Sequence, residues 1–304
     1  MKAVRSGGAR KRLTLEDVCV NTFATVFCVG VLLMTLYPIY FCLVNSFSAG
    51  VTLKGFWVVP DAFTLENYVT IFRNQNLAGV LLMTVCRVVA GMFFGVMVTS
   101  MAAFALSKRW LALRRAYGIF FIITMYFSGG MITTYLVLLK LKLIDTFWVY
   151  ILPFSFSYFY ALLFMAYFRE IPEAVEEAAS IDGAGTFYTY WRIIFPMSKP
   201  ITATITLFYI VMHWNDWFAP AFYTNNEALM TLPAVLMRLL NATSAQQMLN
   251  NLNMVSQGAM VRSLLTIQSL RYATIIIAIT PLAVIYPFVQ KYFISGIMVG
   301  SIKA

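Results

Sequence analysis

The sequence predicts an all-α membrane protein of six transmembrane helices, on three observations. Of its 304 residues 61% are hydrophobic and only 11% charged, against roughly 25% charged in ordinary globular domains. Several apolar runs reach the ~20 residues that a helix needs to cross a hydrocarbon core of about 30 Å. The bases behind the net charge of +10 sit beside those runs, where the positive-inside bias puts them. That placement accounts for the charge, and no nucleic-acid binding is expected.

Residues 1–17 form a basic head with Lys2, Arg5, Arg10, Lys11 and Arg12, expected in the cytoplasm. The first run, about Val18–Val44, exceeds the roughly 7–15 residues of a signal-peptide core. No convincing small-residue cleavage site follows it, so a retained helix is expected. The next spans are about Leu77–Leu106, Tyr117–Leu139, Phe147–Phe168, Pro200–Phe222 and Tyr272–Phe293. Residues 18–304 thus make one six-helix domain. An even number of crossings returns the C-terminus to the cytoplasm. The gap holding Lys108, Arg109, Arg114 and Arg115, and the loop 169–200, then lie inside as well.

Segments 45–76, 140–146 and 223–271 fall outside, and the two long ones are expected to carry short amphipathic helices. Trp57, Tyr68 and Tyr223 suit the interface. Cys19, Cys28, Cys42 and Cys86 lie in or beside apolar runs without metal-ligand spacing, and read as small hydrophobes. Ser128-Gly129-Gly130 and the prolines Pro38, Pro153, Pro281 and Pro287 interrupt apolar runs. Broken helices line transport paths where freed backbone groups find partners. Small residues serve plain helix packing equally well, and for Ser128–Gly130 both readings stand.

Loop 169–200 gathers the scarce acids: Glu170, Glu173, Glu176, Glu177 and Asp182 of a total of 12. A membrane protein that concentrates carboxylates in one loop is expected to use it on a soluble partner. Ile171-Pro172 opens a helix, since proline at the first helical position loses no needed donor. Glu173, Glu176 and Glu177 then complement the helix dipole. Ala174, Ala178 and Ile181 recur at helical spacing as a slim face, widened by Val175 and Ala179, of the kind that enters a groove. Asp182-Gly183 supplies the turn. Thr186–Ile194 resumes helically with Phe187, Tyr190, Trp191 and Ile194 roughly on one side, until Pro196 and Pro200 stop it. Ser198 is placed to cap the next span.

The spacing Glu177-Ala178-Ala179, three residues, Gly183, nine residues, Ile193-Ile194-Phe195-Pro196 resembles the EAA motif of bacterial ABC importer permeases. Phe195 stands where that motif usually has leucine. Ile171-Pro172 and Asp182-Gly183-Ala184 match its carbohydrate-importer version. Asn45–Ser48, Thr64–Tyr68, Leu106–Arg109, Trp214–Trp217 and Thr231-Leu232-Pro233 also resemble permeases of the maltose-type sugar family. Phe127–Ile132, Thr146-Phe147-Trp148 and the ending Lys291–Phe293 through Gly300–Lys303 are similar to its LplC-like branch. Thr133 departs from that branch, which often has proline there.

The resemblance implies a type I ABC importer permease fold with a cytoplasmic coupling helix, working on oligosaccharides or polysaccharide fragments. It implies a second, different permease as heterodimer partner, two ATPase subunits that hold ATP and Mg, and an extracytoplasmic substrate-binding lipoprotein. Glu173, Glu176, Glu177, Ala178, Ala179, Asp182, Gly183 and Ala184 would couple to the ATPase, with Gly183 making the turn. The chain itself is expected to bind no cofactor and no metal. His213, Trp214, Asn215, Asp216 and Trp217 lie in the fifth span, where ionisable groups are costly and usually face a cavity. Aromatic faces beside hydrogen-bonding groups suit sugars. A substrate path along Ser128, Gly129, Gly130, Trp214, Asn215, Asp216 and Trp217 is therefore expected, with helix packing the alternative for each.

Two other classes compete. An intramembrane metalloprotease needs H-E-x-x-H, and the one histidine, His213, precedes Trp214-Asn215; nor is there a G-x-S-x-G elbow. No enzyme is expected. A self-contained secondary transporter of a small polar solute also uses broken helices. It commonly shows two related halves, which this sequence does not, and it gives the acidic loop no purpose.

Overall fold

The computed structural model describes residues 15–48, 63–74, 77–241, 269–284 and 286–287. Helices dominate these residues, with one antiparallel bridge between Ser48 and Phe63. Helix α1 (Leu15–Ser46) runs on through Pro38, so that proline interrupts only the apolar run. At about 1.5 Å per residue its 32 residues exceed the bilayer core. The most apolar stretch of α1 is entirely unburied, leaving its side chains to lipid or another chain.

Helix α2 (Glu66–Asn74) is short and amphipathic, as expected of segment 45–76. Thr64 accepts the Glu66 N–H at its start. Asn67 Nδ2 donates to the carbonyls of Ser46 and Ser48 at 2.9 and 3.0 Å, tying α2 to the end of α1. Trp57 lies outside the described residues.

The hub is α3 (Leu77–Ser107), an unbroken span whose buried residues recur at helical spacing from Leu77 through Thr84, Gly91, Gly95 and Thr99. It packs on α6 (Tyr158–Glu170) and α9 (Lys199–Asn215). Gly91 and Gly95 sit one turn apart, and a Cβ on them would come within 2.2 Å of His213 and 2.5 Å of the Tyr209 ring. Their bare backbone admits these two rings of α9, as small residues do between membrane helices. Thr99 and the Tyr209 hydroxyl then bond at 2.7 Å, and Ser100 and the Tyr190 hydroxyl likewise.

The third expected span is not straight. Helices α4 (Arg114–Tyr126) and α5 (Gly130–Lys140) meet at 115°. The chain leaves the helix at Phe127, and Ser128 Oγ accepts the Gly130 N–H at 3.2 Å, with Gly130 at φ +80. The fourth is bent as well: 3-10 turns at Phe147–Tyr150 and Leu152–Phe154 precede α6, with an angle of 49°.

After α6 come α7 (Glu173–Ile181) and α8 (Thr186–Met197), which meets α9 at 84° and carries a π-helical segment at Tyr190–Ile194. Ser198 does not cap α9. Its hydroxyl donates back to the Ile194 carbonyl at 2.8 Å, because α8 runs almost directly into α9 and Ser198 lacks the extended backbone of a cap. Helix α9 ends at Asn215, short of the expected Phe222, and α10 (Phe218–Tyr223) follows the break. Helices α11 (Leu232–Asn241) and α12 (Ser269–Val284) complete the described elements. The rest of the sixth expected span, toward Phe293, lies outside them. Among the described residues two helices, α1 and α3, are long and apolar enough to cross a membrane alone, and up to five spans are counted if each bent pair is one span.

Candidate functional site

The acid-rich loop builds α7 beside the end of α3. Pro172 stands just before the helix with extended backbone (ψ 132) rather than in its first turn. Its carbonyl accepts the Val175 N–H at 3.1 Å. The expected five-residue face divides in two. Ala179 is buried and Val175 half-buried against the bundle, whereas Ala174, Glu177, Ala178 and Ile181 are exposed. At 86% exposure Ile181 has almost no cover from its own chain.

The turn after α7 is a Schellman motif. Ala184 N–H donates to the Ala179 carbonyl at 2.9 Å, and Gly183 N–H to the Ser180 carbonyl at 3.0 Å. The two bonds satisfy carbonyls that the helix end would otherwise orphan. Gly183 has φ +79, and no atom of the described residues lies within 4 Å of where a Cβ would stand. Glycine is favoured here by backbone conformation and not by space.

Two of the three glutamates bond within the chain. Glu176 pairs with Lys108, whose ammonium also lies 4.3 Å from the Phe104 ring centre. Glu173 meets Arg109 at 3.6 Å in solvent. The Lys108 pair borders a cleft of about 260 Å³ that also takes in Trp110, Glu177, Ser180, Ala184 and Thr186. These bonds fix α7 against the end of α3 and leave Glu177 facing outward. The two oppositely charged loops are both legible in the sequence; their pairing emerges only from the fold.

A second constellation surrounds the break between α9 and α10. Arg87 of α3, fully buried, pairs with Asp216 and donates from Nη1 to the Asp216 carbonyl at 3.0 Å. Its guanidinium lies 4.5 Å from the Tyr150 ring centre. The other carboxylate oxygen of Asp216 accepts the N–H groups of Phe218 and Ala219 at 2.9 and 3.2 Å, opening α10. Asp216 is thus a structural pivot. Sequence reasoning missed Arg87, although it is the lone charge within a 31-residue apolar helix, a signal in itself.

Trp214, Asn215 and Trp217 line a cavity of about 400 Å³ shared with α11 and α12. Trp214 is buried and its indole N–H donates to the Ala278 carbonyl at 3.0 Å, so it offers the cavity a ring face and no free donor. His213 does not line it. Its imidazole packs between Gly91 and the ring of Phe154, and neither nitrogen has a partner among the described residues. Ser128, Gly129 and Gly130 are exposed at the α4–α5 corner and do not line this cavity. The expected path residues therefore divide: three of them meet at one cavity, Asp216 pairs with Arg87 instead of lining it, and the glycine corner is elsewhere.

Comparison with known proteins adds the lineage. Residues 75–299 match the family described as binding-protein-dependent transport system inner membrane component. The chain is 34% identical over 289 residues to Protein LplC of Bacillus subtilis (strain 168), covering 94% of each. It is 32% identical to the polygalacturonan/rhamnogalacturonan transport system permease protein YtcP of the same organism, covering 95% of this chain and 98% of that one. A crystal structure of a bacterial ABC transporter involved in the import of the acidic polysaccharide alginate contains a chain of the same fold. Its TM-score is 0.81 at 26% identity, over 93% of this chain and 99% of that one.

Proposed function

Because this chain belongs to the family of binding-protein-dependent transport system inner membrane components, we infer that it is a permease subunit of an ABC importer for oligosaccharides or polysaccharide fragments. The substrates of its relatives, among them polygalacturonan, rhamnogalacturonan and alginate, support the carbohydrate class. A self-contained secondary transporter fits neither that family nor the loop. On this reading residues 18–304 form the six-span domain and residues 1–17 a cytoplasmic head, with both termini inside. A different permease pairs with this one, two ATPase subunits hold ATP and Mg, and a lipoprotein delivers the glycan.

The observation that carries the coupling role is the orientation of α7. Glu173 and Glu176 bond to the chain's own bases, while Ala174, Glu177, Ala178 and Ile181 face away. A slim face with one carboxylate suits a groove with a basic residue in it. Closure of the ATPases would push α7, and through Lys108 the end of α3. Motion moves sugar only if the site has different affinity in the two states. The cavity lined by Trp214, Asn215 and Trp217 is the proposed sugar contact, with Asp216 holding its wall; Ser128–Gly130, at the α4–α5 corner, lie apart from it.

The test uses the complete importer, reconstituted with its ATPases and binding protein. Gly183→Val and Glu177→Lys are expected to assemble and to lose sugar-stimulated ATP hydrolysis. Normal transport by both variants would remove the coupling assignment.

A further inference from the structure

We propose that the groove between α4 and α6 is a binding site for an anionic phospholipid, held by Arg114, Arg115 and Arg169. The three arginines come from the start of α4 and the end of α6, and they line one cavity of about 400 Å³. Bases near helix ends are commonplace in membrane proteins, so their convergence is what needs explaining. In the same inter-helix gap Lys108 and Arg109 are paired with Glu176 and Glu173. No carboxylate of the described residues, Glu170 included, lies within ion-pair distance of Arg114, Arg115 or Arg169. Two bases thus serve α7, and the other two line a separate cavity together with Arg169.

The rest of the groove is mostly apolar. Leu106, Met165 and the Tyr158 ring line it, with the Tyr158 hydroxyl beside Gly118. Tyr158 and Arg169 are 11 residues apart on α6, roughly 16 Å along the axis, so the groove is long, with Tyr158 at one end and Arg169 at the other. Helix α4 buries none of its residues, and Ile119, Phe120, Ile122 and Ile123 are exposed on it. A charged head with an acyl tail matches this shape: guanidinium groups take phosphate in bidentate fashion, and the chain lies along an apolar wall. Basic pockets between membrane helices recognise anionic headgroups by the same physics.

The test is lipid retention by the assembled importer in mixed micelles of equal phosphatidylglycerol and phosphatidylcholine, read by native mass spectrometry. Wild type is expected to retain phosphatidylglycerol selectively. The triple variant R114Q/R115Q/R169Q should lower that retention by about tenfold or more, the triple lysine variant should keep most of it, and K140Q/K142Q, outside the groove, should not change it. Millimolar inorganic phosphate should leave retention intact. Equal retention of the two lipids by wild type, or no loss in the triple glutamine variant, overturns the proposal. Displacement by phosphate reassigns the cavity to a free anion, and loss of ATPase subunits from the triple variant reassigns the arginines to a protein contact; either outcome overturns it too. Should the triple variant not assemble, the exposed single variants R115Q and R169Q decide, each expected to weaken phosphatidylglycerol retention alone.

Discussion

Arg87 in the middle of α3 and Asp216 at the α9–α10 break form an ion pair in which the guanidinium is wholly buried. The residues are 129 positions apart. Removing one partner of a buried pair leaves the other charge uncompensated, at a cost of about 3–5 kcal/mol. Asp216→Ala should therefore lower the thermal midpoint of the complex sharply. Arg87→Met combined with Asp216→Ala should recover part of the loss. A double variant no more stable than Asp216→Ala would contradict the pairing.

Gly183 separates conformation from space. Its positive φ costs an L residue about 1–2 kcal/mol, yet no described residue crowds the position. Gly183→Asn should retain most sugar-stimulated ATP hydrolysis, since asparagine tolerates this region, whereas Gly183→Ala should lose part and Gly183→Val nearly all. Equal activity of the three would show that the turn does not limit coupling.

The two ion pairs of α7 should differ. Lys108 and Glu176 are largely shielded, while Arg109 and Glu173 are mostly exposed; exposed pairs contribute about 0–1 kcal/mol. Glu173→Gln should leave coupled ATP hydrolysis near wild type. Glu176→Lys should impair it, and Lys108→Glu with Glu176→Lys should restore much of it. Absence of rescue by the swap would argue against the Lys108–Glu176 contact as the tether.

How far the sequence could be read follows from range. The ends of α3 and the Asp182–Gly183 turn are local features, set by apolar length and by one glycine, and the sequence indicates both. The inward set of Val175 and Ala179 against the outward set of Ala174 and Ala178 is not local. All four are small and apolar, and only the bundle behind them decides which pair is covered. The break at Ser128–Gly130 is visible as composition, but its 115° angle depends on packing. Arg87 is visible as a misplaced charge; its partner, reached through the fold, is not.

Tight packing at α3 yields a further expectation. A Cβ at Gly91 would meet the His213 ring at 2.2 Å, and overpacking of a filled interface costs about 1–3 kcal/mol. Gly91→Ala should lower assembly yield and thermal midpoint, and His213→Ala in the same chain should restore part of both by clearing the space. If His213→Ala alone abolished uptake without affecting stability, the imidazole would have a role beyond packing.

The cavity residues should divide by what each side chain touches. Trp214 is buried and bonded to Ala278 of α12, so Trp214→Ala removes a core ring together with a link between helices. Loss of such a residue costs about 3–5 kcal/mol in a soluble core, and the variant should assemble poorly. Asn215 and Trp217 are exposed at the cavity and carry less packing. Asn215→Ala and Trp217→Ala should assemble normally yet raise the glycan concentration needed for half-maximal uptake, because a hydrogen-bonding group or a ring face for the sugar is gone. Uptake measured at matched expression separates the two effects. Unchanged uptake in both Asn215→Ala and Trp217→Ala would move the sugar contact away from this cavity, while the structural role of Trp214 would stand.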